Sequence, residues 1–286
     1  MLTTRLAVWG DPIDHSRSPD LHGAAYRALG LDWDYGRARV DEASFESAVA
    51  ALGPEWRGLS LTMPLKGIAH RLAARLDRRA ELTGAVNTYL LGGDGPTGFN
   101  TDVGGLAADL RARGFDGIDR ARIVGAGATA TSALVSLTEL GARSIQVVAR
   151  RPAAVAPMSA LGATLGIEVE AAPLAEQSYE PVPLTVAALP GGAALPAPIA
   201  AVLAQGGGAL TDVVYGHWPS ALGAAFLAAG LPAEDGLGML LHQALLQVRV
   251  FVAGDPGSPL EAEPAVLAAM RAAVGRGTGA GPDMGD

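Results

Sequence analysis

Residues 121–149 constrain the fold of this chain more than any other stretch. Ala121-Arg122-Ile123-Val124 is a short apolar run that breaks at Gly125-Ala126-Gly127 and passes through Ala128, Thr129 and Ala130 into an apolar helical pattern. That pattern ends near residue 140, and a second apolar run follows over 144–149. Strand, glycine turn, helix and strand within about thirty residues is the arrangement by which a parallel βαβ unit holds a dinucleotide. Gly125 permits the tight turn, Gly127 lets backbone N–H groups approach a pyrophosphate at the helix N-terminus, and Ala130 takes the third glycine position. The second strand ends at Arg150-Arg151 with no acid beside it. An acid there would hold the ribose 2′-hydroxyl of NAD, whereas a 2′-phosphate calls for arginine, so the expected cofactor is NADP. Solvated charges at a strand end are the alternative, a weaker one for two adjacent arginines in an acidic protein.

A single βαβ unit does not account for 286 residues, and a chain of that length divides into two domains more readily than it forms one core. Before residue 102, short apolar runs at 6–10, 33–40, 58–62 and 85–91 alternate with helical patterns at 18–29 and 44–52, which argues for an α/β layer there too. Ser18-Pro19 reads as an N-cap followed by proline at the first helical position, and Pro64 suits the first turn of a helix carrying Lys66. Gly92-Gly93-Asp94-Gly95 reads as a tight turn. Asp102, before the pattern over 103–113, can be a helix cap. Beyond 150, strands are expected at 167–170, 184–188 and 209–214, and helices at 220–229, 236–252 and 260–274.

Composition narrows the function classes. The net charge of −8 disfavours general binding to nucleic acid or anionic membranes, so neither is an expected partner. With no cysteine there are no disulfides, thiol nucleophiles or thiolate metal sites, which fits a reducing cytosol. The N-terminus carries no signal-peptide pattern, so a cytoplasmic location is expected. The most apolar window, 236–254, is interrupted by His242, Gln243, Gln247 and Arg249 and reads as a packed helix.

Residue scarcity points to the chemistry. Of the 21 cationic residues only Lys66 is lysine. Arginine keeps its proton at any ordinary pH, whereas lysine can have its pKa lowered and pass a proton, so a lone lysine suits acid–base work. A stray surface lysine is the alternative. Asparagine is as scarce, at Asn87 and Asn100, each followed by threonine in the same half of the chain. Its amide offers a donor and an acceptor together, as recognition of a hydroxyl needs.

Several segments resemble shikimate dehydrogenases in that family's order. They are Gly10-Asp11-Pro12-Ile13-Asp14-His15-Ser16-Arg17-Ser18-Pro19 with His22, residues 60–66, Gly84-Ala85-Val86-Asn87-Thr88 and Gly98-Phe99-Asn100-Thr101-Asp102. The glycine turn, Asp212-Val213-Val214-Tyr215 and Gly238-Met239-Leu240-Leu241-His242-Gln243-Ala244 follow. The match runs from about residue 6 to 255. The resemblance implies reversible oxidation of shikimate to 3-dehydroshikimate with NADP, in chorismate and aromatic amino-acid biosynthesis. Ser16 and Ser18, assisted by Tyr215, resemble the substrate-carboxylate contacts. Thr62, Asn87 and Gln243 resemble the ring-hydroxyl contacts, and Lys66 and Asp102 the catalytic pair. Gly125, Ala126, Gly127, Ala128, Thr129, Arg150, Arg151, Ala188, Leu189, Val213, Gly236 and Met239 fall where that family meets its cofactor. No metal is implied.

Four places depart from the family pattern. Ser60 replaces a common asparagine, and Ala149-Arg150-Arg151 replaces Asn-Arg-Thr. Ala187-Ala188-Leu189-Pro190 stands for Asn-Ala-Thr-Ser, and Gly216-His217-Trp218-Pro219-Ser220 blurs a Pro/Thr-Pro pattern. The expected architecture is α/β, in two domains with a cleft between them. Residues 1–102, completed by helices over 236–275, form the substrate domain, 103–235 form a Rossmann-type NADP domain, and 276–286 form a disordered tail. A monomer or homodimer is expected. The competing readings are a quinate/shikimate enzyme with relaxed cofactor use and a non-catalytic NADP-sensing relative.

Overall fold

A computed structural model of the chain describes residues 3–216 and 218–275. The predicted tail, 276–286, lies outside the described residues. The chain folds as two compact units. One comprises the described residues up to Thr101 with those from Gln243 onward, and the other runs from Asp102 to His242.

The first unit carries β1 (Thr4–Gly10), α1 (Ser18–Ala28), β2 (Trp33–Arg39), α2 (Glu42–Ala50) and β3 (Trp56–Leu61). Then come α3 (Lys66–Leu72), β4 (Arg75–Leu76), α4 (Arg78–Thr83), β5 (Thr88–Leu90) and β6 (Thr97–Phe99). Its sheet runs β2-β1-β3-β5-β6-β4, with β1 parallel to both β2 and β3, and β5 antiparallel to β3 and β6. Residues Leu6–Gly10 of β1 are buried throughout, as a central parallel strand covered on both faces must be. Trp9, Phe45, Leu59, Leu61, Leu65 and Tyr89 form the core of this unit. Trp9 meets Phe45 and Trp56 edge-on at 6.2 and 6.4 Å between ring centroids. Because Trp9 pairs in register with Leu61, the two strands end side by side, and the loops that follow leave from the same edge. A side chain at Gly10 would collide with Thr62 and the Met63 carbonyl, so glycine is what lets these loops converge.

After α5 (Thr101–Ala112), the second unit holds β7 (Arg120–Val124), α6 (Ala128–Glu139), β8 (Ser144–Ala149), α7 (Ala156–Leu165), β9 (Glu168–Pro173) and β10 (Leu184–Ala187). It continues with α8 (Ala197–Gln205), β11 (Ala209–Asp212), α9 (Ala221–Ala228) and β12 (Ala233–Glu234); α10 (Leu237–Ala253) begins in it and passes at Gln243 into the first unit, to which α11 (Glu263–Gly275) also belongs. All strands of its sheet are parallel, in the order β12-β11-β10-β7-β8-β9. This is the doubly wound order of a Rossmann-type fold, reversing between β7 and β10, the place where such sheets take ligands beyond their strand ends. Val124, Val148, Ala187, Leu210 and Phe226 anchor its core. Arg122 is fully buried there, and its guanidinium donates to Gln146 and to the carbonyls of Gly206 and Glu180.

The expected strand over 85–91 narrows to Thr88–Leu90, because Val86 N–H turns to the Lys66 carbonyl at 3.0 Å and leaves the ladder. Strands β4, β6 and β12 span two or three residues each, too short to show alternation in sequence. Among the described residues no helix is long and apolar enough to cross a membrane.

Candidate active site

In the first unit the candidate residues stand at the carboxyl ends of β1 and β3 and on the segments that close over them. Ser16 and Ser18 lie in the loop after β1. Ser18 does not cap α1, as its sequence setting suggested: Arg17 occupies the cap position and Ser18 is the first helical residue. The Ser18 N–H donates to Ser16 Oγ at 3.3 Å. Arg17 reaches the Ala273 and Val274 carbonyls at 3.4 and 3.3 Å, tying this loop to the last turn of α11.

Thr62 follows β3, and its N–H donates to the Trp9 carbonyl at 3.0 Å. Pro64 is not in the first turn of α3. It lies in a turn closed by Leu65 N–H on the Thr62 carbonyl at 2.8 Å, with a cis Met63–Pro64 peptide, and α3 begins at Lys66. Lys66 is half-buried at the helix N-terminus, and its carbonyl accepts from Val86 N–H, which brings residues 86 and 87 alongside.

Asn87 is 2 % exposed and organises its surroundings. Its Oδ1 accepts from the Thr101 N–H at 2.9 Å and the Thr88 hydroxyl at 2.8 Å. Its Nδ2 donates to Thr101 Oγ1 at 2.9 Å and to Gln243 Oε1 at 3.4 Å. The Thr101 N–H is one of the orphan donors at the N-terminus of α5, and Asn87, a distant residue, satisfies it. Asp102 is not the cap, because the helix already includes Thr101. It sits in the first helical turn, 6 % exposed, where the helix dipole favours a negative charge. Asn100 is equally enclosed, its backbone N–H held by Asp77 Oδ1 at 3.1 Å and its Nδ2 by Thr83 Oγ1 at 2.8 Å. Thus Thr62, Lys66, Asn87 and Gln243 gather in one unit with Ser16 and Ser18, whereas Asp102 and Tyr215 belong to the other.

In the second unit the candidate cofactor residues converge at the carboxyl ends of β7, β10 and β11. Gly125 has φ +123°, and a Cβ there would lie 2.5 Å from the Ala188 carbonyl oxygen, so its backbone is packed directly on Ala188-Leu189. Ala188 N–H donates to Val124 O at 2.8 Å, and Val213 N–H to Ala187 O at 2.9 Å. Gly236 is likewise pressed on Val213, where a side chain would collide with backbone, and its N–H donates to Val214 O at 3.0 Å. Met239 lies buried in the first turn of α10.

Gly127 differs: its backbone is extended, no side-chain group caps α6, and a Cβ would meet nothing within 4 Å. Gly127 and Ala128 are exposed, and Ala126 and Thr129 half-buried, so the N-terminus of this twelve-residue helix presents its amides to open space. The arrangement suits a pyrophosphate. Arg150 and Arg151 stand exposed just beyond β8, with no side-chain partner among the described residues. Their planar guanidinium forks suit a further phosphate.

A family model for the shikimate dehydrogenase substrate-binding domain matches residues 8–89. The shikimate dehydrogenase (NADP(+)) of Methylobacterium radiotolerans is 37 % identical over 266 residues, covering 85 % of this chain and 89 % of the relative. The chain belongs to the shikimate dehydrogenase family. Among solved structures, Mycobacterium tuberculosis shikimate dehydrogenase superposes with a TM-score of 0.82 at 38 % identity, over 94 % of this chain and 99 % of that one. The Thermus thermophilus shikimate 5-dehydrogenase, solved in complex with NADP(H) and shikimate, superposes with a TM-score of 0.76 at 30 % identity, over 95 % and 100 % of the two chains.

Two residues of this shikimate dehydrogenase family member carry more of the site than sequence reasoning assigned them. Asp212, at the end of β11, accepts from Val214 N–H at 3.1 Å and from Ser220 Oγ at 2.6 Å, and so shapes the loop bearing Tyr215. Burial raises its pKa, with the bonds from Ser220 and Val214 opposing. Gln247 donates to the Asn87 carbonyl at 3.0 Å. Its spacing of four from Gln243 puts both amides on one face of α10, a signal present in the sequence.

Proposed function

We propose that this protein is an NADP-dependent shikimate dehydrogenase that interconverts shikimate and 3-dehydroshikimate, as a step in chorismate and aromatic amino-acid biosynthesis. The single observation that carries the reading is the gathering of Thr62, Lys66, Asn87 and Gln243 around one strand edge of the first unit. Bound NADP supplies the hydride acceptor for the oxidation and the donor for its reverse.

The chain's own residues handle the proton. A carbinol carbon gives up hydride only as its hydroxyl proton departs, so a base must take that proton and return it in the reverse direction. Lys66 and Asp102 are proposed as this acid–base dyad. Thr62, Asn87 and Gln243 would orient the ring hydroxyls, the two amides offering donor and acceptor together. Ser16, Ser18 and Tyr215 would hold the carboxylate. On the other unit, the α6 N-terminus with Gly125, Ala126, Gly127, Ala128 and Thr129 would hold the pyrophosphate. Arg150 and Arg151 would hold the 2′-phosphate, and Ala188, Leu189, Val213, Gly236 and Met239 would wall the nicotinamide end. We propose a substrate domain and an NADP domain corresponding to the two units, and a cytoplasmic location, which suits a chain without cysteine.

The test is to follow reduced-nicotinamide absorbance with shikimate or quinate, each with NADP or NAD. Turnover is expected to be fastest with shikimate and NADP. No turnover of that pair would overturn the proposal.

A further inference from the structure

Both asparagines of the chain are followed by threonine, and of these four residues the chemistry above uses only Asn87. The antiparallel pairing of β5 with β6 sets Thr88 opposite Phe99, and the Asn87 N–H donates to the Phe99 carbonyl at 3.0 Å, so the two Asn-Thr pairs meet side by side. Asn100 is held by Asp77 and Thr83, whereas both threonines close on the Asn87 amide.

The Asn87 backbone is pinned. Its N–H is committed to Phe99, and its carbonyl accepts from the Leu61 N–H at 2.8 Å and from Gln247 Nε2 at 3.0 Å. What stays open is which way round the side-chain amide stands, because its two ends are nearly alike in shape. The Thr101 backbone N–H settles this, since it can only donate. It lies 2.9 Å from Oδ1, and a reversed amide would set donor against donor. The Thr88 hydroxyl donates to the same oxygen at 2.8 Å. Thr101 Oγ1 accepts from Nδ2 at 2.9 Å and donates to Oδ1 at 3.1 Å. With these donors on it, Oδ1 has no lone pair for a ligand. The Nδ2 end also approaches Gln243 Oε1 at 3.4 Å, on the side of the other amide proposed to meet the ring. Thr88 is fully buried and Thr101 is 1 % exposed, so bulk water does not replace a bond lost here.

We propose that Thr88 and Thr101 are positioning residues that lock the Asn87 amide in one orientation, so that it meets its ligand with N–H and not with its carbonyl. This rests on the reading above, in which Asn87 contacts a ring oxygen of the substrate. An N–H suits a hydroxyl oxygen and a ketone oxygen alike, whereas an amide oxygen would suit only the hydroxyl. Asn87 therefore serves the reduced and the oxidised ligand without turning over. The acceptor half of hydroxyl recognition then falls to the other ring contacts.

Having only two asparagines makes the test simple. Protein isotopically labelled at asparagine nitrogen shows one side-chain amide signal for each, and Asn87→Ala identifies that of Asn87. Shikimate and 3-dehydroshikimate should each move the Asn87 signal and leave that of Asn100 in place. Loss of one buried neutral hydrogen bond in Thr88→Val should raise the calorimetric Kd of both ligands by the same factor, about three- to tenfold. The Asn87 amide protons should exchange faster with solvent by a similar factor, while kcat changes by less than about twofold. Thr88→Ser keeps the hydroxyl and should bring these values back to within about twofold of the parent. An Asn87 signal that neither ligand moves would overturn the proposal. So would a Thr88→Val that weakens shikimate alone or neither ligand, or a loss that serine does not rescue. If Thr88→Val does not fold, Thr101→Val, which removes the acceptor of Nδ2, decides by the same readouts. Failure of the unmodified protein to turn over shikimate would instead refute the functional reading on which the proposal rests.

Discussion

Gly125 and Gly127 stand two residues apart in the same turn, yet adding one methyl group should do different things at each. At Gly125 the φ of +123° disfavours any L-residue, by about 1–2 kcal/mol. The new Cβ would also fall 2.5 Å from the Ala188 oxygen and 3.0 Å from its carbonyl carbon. That segment cannot retreat cheaply, because Ala188 N–H is held by Val124 and Val213 N–H by Ala187. Forced overpacking of this kind costs about 1–3 kcal/mol, for a total of roughly 2–5 kcal/mol. At about 2–4 °C per kcal/mol, Gly125→Ala should lower the melting temperature by roughly 4–20 °C. Gly127 is extended and its Cβ would meet no atom within 4 Å, so Gly127→Ala should cost under about 1 kcal/mol of folding. Its methyl group would instead occupy the space over the α6 N-terminus proposed for the pyrophosphate. Thermal unfolding without ligand, paired with NADP titration followed by fluorescence or calorimetry, separates the two effects. Gly127→Ala should melt near the parent and bind NADP at least about tenfold more weakly. Equal destabilisation by both substitutions, or normal NADP affinity in Gly127→Ala, would refute the reasoning.

Lys66→Arg keeps the charge but not an exchangeable proton at neutral pH, so kcat should fall by about two orders of magnitude or more while shikimate still binds. Near-parental activity would reduce Lys66 to a charge. Arg150→Ala should raise the KM for NADP far more than that for NAD, and equal losses would refute the 2′-phosphate assignment. Burial of His22, only partly offset by its bond with Gln247, lowers its pKa from 6.5 to about 3. Because the folded value lies below the unfolded one, the stability tied to neutral His22 is complete above about pH 6.5. It drains as pH falls towards 3, by up to about 1.4 kcal/mol per unit. Chemical unfolding at pH 7 and pH 5 should show a shallower loss for His22→Gln than for the parent, and equal slopes would contradict this. Arg122→Met leaves the Glu180 carbonyl without the guanidinium and the Gly206 carbonyl with only the Val182 N–H, and should cost about 1–3 kcal/mol in the unfolding of the second unit. A cost under about 1 kcal/mol would show that water replaces the guanidinium.

Much of the fold was legible because its signals are local. The βαβ unit at the start of the second sheet rests on glycine dihedrals and on apolar runs that repeat within a few residues. The expected second strand, 144–149, coincides with β8 for that reason. The paired ends of β1 and β3 follow from two buried strands of matched length. Less legible were α7 and α8, alanine-rich segments with little polar contrast, whose helical state is decided by the sheet they cover.

Where the sequence misled, a distant partner had displaced a local preference. Ser18 is a good helix cap by type, but Arg17, tied to the Ala273 and Val274 carbonyls, takes the cap position of α1. Asp102 is a good cap by position, but α5 starts one residue earlier and the distant Asn87 takes the Thr101 N–H. Ser60, a departure from the family pattern with no visible role in the chain alone, is held by Gln247 across 187 positions.

The sequence by itself determined the strand–helix alternation, the residue types available for chemistry and the scarcity that singled out Lys66 and Asn87. All of these depend on backbone dihedrals, hydrophobic periodicity and side-chain chemistry, which are properties of near neighbours. Only the tertiary structure decided which hydroxyl faces which amide, and that Asn87 meets the Thr101 N–H. A hydrogen-bond donor carries no record in the sequence of the acceptor it will meet. That choice is made when packing brings distant segments together and excludes the water that would otherwise satisfy each of them.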